Sequence, residues 1–171
     1  MAAKILLTSF TTWRPHQRAN SSDQLLMNLM ALPEQLNLYF FRQLPVNLPV
    51  ARDLMIAKLH QICPDLLLCC GMAESRSSLC LETQAVLGNQ TLKTQLDVEQ
   101  LVQGLGCTTI SQDAGRFVCN SLYHAMLNYL SGNLIHCKTL FVHVPILTAD
   151  NREQILQDFR LLIARLQSNL F

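Results

Sequence analysis

Apolar runs of strand length alternate with segments of helical period along this chain. KILLTSF (4–10), LYFFRQL (38–44), DLLLCCG (65–71), CTTISQD (107–113) and KTLFVHVP (138–145) predict strands. Several are apolar on consecutive residues, as strands covered on both faces are. Between them lie helical stripes: Leu25, Leu26, Leu29 and Met30, then Val118, Leu122, Ala125, Met126 and Tyr129. Ile155, Leu156, Phe159, Leu162, Ile163 and Leu166 make the clearest amphipathic face, after a start signal at Asp150-Asn151. Residues 49–63 read as a further helix, ending before Pro64. The alternation predicts an α/β fold, a three-layer αβα sandwich around a mostly parallel or mixed central sheet. No internal repeat, low-complexity tract or linker interrupts it, so residues 1–171 are expected to form a single domain. Sites in such folds gather at the carboxyl ends of strands, which puts the loops after Phe10, Gly71, Gln112 and His143 on one edge.

Composition narrows the function. Of 171 residues, 50% are hydrophobic and 15% charged, with a formal net charge of +1. That length suits one sizeable core, and the absence of a Lys/Arg run argues against nucleic acid or an anionic membrane as partner. The apolar run DLLLCCGMA is too short to span a bilayer, and MAAKILLTSFTTW turns polar too early for a signal-peptide core. The expected location is therefore cytoplasmic. Seven cysteines, two of them adjacent at Cys69-Cys70, fit reduced thiols better than a disulfide framework. No pair of Cys-x-x-Cys knuckles appears, and His136-Cys137 alone is weak, so neither metal nor cofactor is expected.

Cys119 follows QDAG, with Asp113 read as an N-cap for the helix beyond it and Arg116 one turn earlier. A helix start and a neighbouring cation favour a thiolate. Cysteine is also among the most buried residue types, and an inert core thiol is the commoner case. His143 ends an apolar run, either as a satisfied core histidine or as a general base projecting from a strand end. His16, His60, His124 and His136 read as polar or solvent-facing, and Glu82 as an ordinary surface carboxylate. A cysteine, a histidine and a carboxylate make a nucleophile, a base and an orienter when they meet. Composition alone does not join them.

SQDAGRFVCN is similar to the nucleophile signature S-x-S-A-G-T-Y-x-C-N of the type I pyroglutamyl peptidases, keeping Ser111, Ala114, Gly115, Cys119 and Asn120. The histidine motif F-x-H-V-P stands intact at Phe141, His143, Val144 and Pro145. GMAESRSSLCLETQA resembles G-Q-A-G-G-R followed by x-x-I-x-x-E-R-x-A, keeping Gly71, Ala73, Arg76, Glu82 and Ala85. The opening strand looks like T-G-F-x-P-F-G-G at Thr8, Phe10 and Trp13, and N-P-S becomes Asn20 to Ser22. The likeness runs almost end to end. It implies Cys119 as nucleophile, His143 as base and Glu82 as the group holding the imidazole, with Arg76 countering negative charge near the thiolate. Phe10, Trp13, Met72, Arg76, Phe117 and Val118 would then bind substrate.

The chain also departs from that family. Met72 replaces Gln in the pyroglutamyl pocket, Glu74 and Ser75 replace glycines, Ser9 replaces Gly, and Trp13 replaces Phe. A long loop that follows the position of Gln90 in the family is reduced to TLKT or so. The resemblance implies a cysteine omega-peptidase that removes an N-terminal pyroglutamyl or similar small acyl group by thiolate attack on the amide. The alternatives are a family-fold cysteine amidase of altered specificity and a non-catalytic binding protein. The expected partner is a peptide or small amide with a blocked N-terminus, and a homo-oligomer is left open. Without the amide of Gln or the loop, weak and loosely selective hydrolysis is expected.

Overall fold

The computed structural model describes residues 3–33 and 36–169, so the ends of the predicted 1–171 domain lie outside the described residues. Its centre is set by three strands that are largely apolar. These are β1 (Ile5–Phe10), β3 (Leu66–Met72) and β8 (Lys138–Val144), buried along nearly their whole length. Around them are β2 (Leu38–Leu44), β4 (Leu79–Glu82) and β7 (Thr108–Ser111). The six-stranded sheet runs β2-β1-β3-β8-β4-β7. Every pairing is parallel except β4 with β8, which is antiparallel. The sheet is mixed, as the alternation predicts.

Successive strand residues point to opposite faces, and the core splits accordingly. Ile5, Leu7, Leu66, Leu68, Cys70, Leu140, Val142 and Val144 share one cluster with residues of α1 (Ser21–Met30), α3 (Val98–Val102) and α5 (Arg152–Asn169). Leu6, Phe10, Leu67, Cys69 and Phe141 belong to a second, with α2 (Leu48–Ile62), α4 (Val118–Gly132) and the small hairpin β5 (Gln84–Leu87) and β6 (Gln90–Lys93). The helix faces follow their stripes, except that Met30 is exposed.

Local chemistry sets the ends. Asn20 caps α1 by accepting from the Ser22 N–H, and Asn47 caps α2 by accepting from the Val50 N–H. α2 stops where Cys63 turns left-handed at φ 48°, just before Pro64. The strand predicted over 107–113 contracts to β7, because Ser111 and Asp113 already form a side-chain turn there. β4, β5 and β6 are not predicted from the pattern. Each has four residues, too few for a period to show, and β4 exists only because β8 and β7 pair with it on either side.

Candidate active site

Glu82 is fully buried, not a surface carboxylate. The strand order explains both its burial and its partner. In the antiparallel β4–β8 pair, Cys80 lies opposite His143 and Glu82 opposite Phe141. Phe141 and His143 are two residues apart and share a face, so Glu82 is the diagonal neighbour of His143. Its Oε1 lies 2.7 Å from the His143 Nδ1. The other oxygen, Oε2, has no partner among the described residues. The Tyr123 hydroxyl donates to the Glu82 carbonyl at 2.9 Å and anchors that strand end. The imidazole stacks at a tilt on Phe141, with ring centroids 4.9 Å apart.

Cys119 comes to the same place from α4, which packs on the Phe141 face of the sheet. Gly71 stands opposite His143 in the β3–β8 register. A Cβ added at Gly71 would lie 2.8 Å from the Cys119 sulfur and 2.7 Å from the Phe141 ring. The sulfur therefore nests over the bare backbone beside His143, and only glycine leaves room for it. Cys119 is the second residue of α4, whose first-turn N–H groups lack intrahelical acceptors. Burial, with the Glu82 charge adding to it, pushes the thiol up to about 12, although the residue's own backbone N–H pulls the other way. Burial thus works against the thiolate that a helix end and a neighbouring Arg116 favour.

The turn before the helix also differs from expectation. The N-cap is Phe117, with no side-chain cap bond, and the Asp113 carboxylate instead accepts the Gly115 N–H at 2.9 Å. Gly115, at φ 81°, bends the chain there, so Arg116 precedes the helix and does not ride one turn before Cys119. Arg76 ties this turn to the β3–β4 loop, donating to the Ser111 Oγ at 3.3 Å and the Asp113 carbonyl at 3.1 Å. His124 is buried, with its Nε2 unpartnered among the described residues, contrary to a solvent-facing reading.

Two adjoining cavities meet at Cys119. A cleft of about 620 Å³ is lined by the loops expected on this edge, from Trp13 and Arg14, Met72 to Arg76, Asp113 to Phe117, and His143. Beside it is a slot of about 70 Å³, lined almost wholly by apolar atoms of Phe10, Trp13, Asn20, Val46, Met72, Phe117, Val118 and Cys119. All the residues expected to bind substrate line one cavity or both. Val46 escaped sequence reading, since a lone valine carries no pattern of its own, and Asn20 is legible there only within its N-P-S-like segment. Gly71 is legible there only as part of a motif.

The family profile described as pyroglutamyl peptidase matches residues 88–159, which include Cys119 and His143 but not Glu82. The pyrrolidone-carboxylate peptidase of Thermoanaerobacter sp. (strain X514) is 28% identical over 170 residues, covering 84% of this chain and 83% of the relative. Pyrrolidone-carboxylate peptidase 1 of Caldanaerobacter subterraneus subsp. tengcongensis is 26% identical, over 90% of this chain and 86% of that protein. In fold, the chain superposes on the pyroglutamyl peptidase I of Bacillus amyloliquefaciens with a TM-score of 0.86 at 18% identity, covering 99% and 97% of the two chains. Profile, relatives and fold thus all liken this chain to the pyroglutamyl peptidases.

Against that family, the departures acquire structural meaning. Met72 turns its sulfur toward the Ser21 N–H, 3.4 Å away, and offers the slot no amide. Glu74, in place of glycine, receives Gln17 at 2.7 Å, His16 at 3.1 Å and Arg14 at 3.4 Å. Gln17 in turn accepts from the Trp13 N–H at 3.0 Å, so Glu74 indirectly holds Trp13 over the slot. Ser9 donates to Asp23 at 2.7 Å, and Arg42 donates to the same carboxylate through Nε and Nη2, each at 2.8 Å. Burial opposes that charge, but the hydrogen bonds from Arg42, Ser9 and Gln43 hold the Asp23 carboxyl below its ordinary range. β5 and β6 turn back on each other across Gly88 and Asn89, and Asn120 pins them by bonding both backbone groups of Val86.

Proposed function

We propose that the chain, as one catalytic domain over residues 1–171, is a cysteine omega-peptidase that removes an N-terminal pyroglutamyl group from peptides. Cys119 is the nucleophile, His143 the base and Glu82 the group that orients the imidazole. The observation that carries this is the buried 2.7 Å Glu82–His143 pair, with His143 and Cys119 lining one cleft. Because the thiol is held protonated, the imidazole takes its proton as sulfur attacks the carbonyl, and Glu82 stabilises the resulting imidazolium. First-turn N–H groups of α4 receive the oxyanion. His143 then returns the proton to the leaving amine, and water completes hydrolysis of the thioester.

The acyl ring enters the slot between Phe10, Trp13, Met72, Phe117 and Val118, and Arg76 holds the turn that carries Phe117. No metal or cofactor takes part in this scheme, and the substrate is an N-terminally blocked peptide met in the cytoplasm. Among the described residues no helix is long and apolar enough to cross a membrane. A second reading, an amidase with shifted acyl preference, is favoured by the apolar slot and the Met72 thioether. Both are tested by hydrolysis of pyroglutamyl amides beside other aminoacyl amides, with Cys119→Ala as control. Cys119-dependent cleavage that favours the lactam supports the first. Cleavage that favours another acyl group supports the second, and no Cys119-dependent cleavage overturns both.

A further inference from the structure

The two cavities that meet at Cys119 have different chemistry. His143 lines the cleft and not the slot. If the slot takes the acyl group, the peptide beyond the scissile bond lies in the cleft, because its amine must receive the imidazole's proton. The charged residues of that cleft are Arg14, Arg76 and Arg116 against Glu74 and Asp113. Glu74 is already engaged by Arg14, His16 and Gln17, and the Asp113 carboxylate accepts the Gly115 N–H. Among the described residues Arg76 bonds only the neutral acceptors Ser111 Oγ and the Asp113 carbonyl. Arg116 is exposed on the turn made by Gly115 and has no hydrogen bond or ion pair among the described residues. Two guanidinium groups without carboxylate partners thus flank the path of the leaving chain.

We propose that this cleft selects substrates whose leaving peptide carries a carboxylate close to the scissile bond, with Arg116 as the specificity-determining residue and Arg76 beside it. A guanidinium matches a carboxylate in a paired, planar arrangement that an amide cannot reproduce. The carboxylate belongs either to an acidic side chain on the first leaving residue or to the C-terminus of a dipeptide. The proposal rests on the peptidase reading above.

Two matched pairs separate those sources: pyroglutamyl-glutamate amide against pyroglutamyl-glutamine amide, and pyroglutamyl-alanine against its amide. The acidic member of at least one pair is expected to have a kcat/KM higher by about fivefold at low salt, the scale of an ion pair in a partly open cleft. The ratio shrinks in high salt. Arg116→Gln brings it toward one, and Arg116→Glu inverts it. Ratios of one in the native enzyme, or ratios unmoved by both variants, overturn the proposal. Calorimetric binding of the same peptides to Cys119→Ala makes the comparison without turnover. Tighter, Arg116-dependent binding of the acidic member with no cleavage by the native protein sinks the peptidase reading alone. Equal cleavage and equal binding across both pairs sink this proposal alone.

Discussion

Glu82 and His143 stand on adjacent strands of the central sheet, both buried, 2.7 Å apart. Trp13 and Phe117, which wall the slot, stand on loops and are 37% and 70% exposed. The first pair is held by strand register. A slip of one residue in β4 would turn Glu82 to the other face, so its geometry cannot drift by degrees. The second pair is held by side-chain bonds within loops, such as the path from Glu74 through Gln17 to Trp13. Of the departures expected above, Trp13, Glu74 and Ser75 lie in loops and Met72 at a strand end, while Ser9 is buried within β1. The proposed chemistry is thus built on the sheet and most of the proposed recognition on loops.

The comparison breaks most sharply if the sheet-built pair proves dispensable. Cys119→Ala is expected to abolish turnover, and Glu82→Gln to lower kcat by about 10²–10⁴-fold with the circular dichroism spectrum unchanged. A loss under tenfold in Glu82→Gln would show that the buried pair does not orient the base. Next in size, Gly71→Ala puts a methyl 2.8 Å from the nucleophile and 2.7 Å from the Phe141 ring. Steady-state kinetics should give a kcat loss of roughly tenfold or more, and urea melts a destabilisation of about 1–3 kcal/mol.

The loop-built side is probed by Met72→Gln. Restoring a side-chain amide should raise the preference for pyroglutamyl over prolyl amides by about tenfold, mainly through KM, since a paired polar group discriminates better than an apolar wall. An unchanged ratio would mean that backbone groups already supply lactam recognition.

A further expected effect concerns the buried thiols on the α4 face. Burial raises Cys69, Cys119 and Cys137 from 9.0 to about 12. Their folded values lie above the unfolded ones, so the stability they contribute is complete below pH 9 and is lost as pH climbs from 9 toward 12. Denaturant midpoints followed upward from neutral pH should fall over that window. A midpoint that stays flat would mean these thiols ionise as freely in the folded chain as in the unfolded one.

Periodicity by itself determined five of the strands, the four longer helices and the layered α/β architecture, because long apolar runs and stripes report burial directly. Motif order determined the three residues of the proposed triad and most of the slot. Tertiary structure alone decided the rest. The Leu79–Glu82 strand is too short to announce itself, and only its insertion between β8 and β7 turns an unremarkable glutamate into the buried partner of His143. The upward push of burial on the Cys119 thiol, the room that Gly71 leaves, and the displacement of Arg116 from helix to cleft edge each depend on what lies across space. Burial and charge at a site are sums over neighbours distant in the chain, and a local pattern of residues carries only its own share of them.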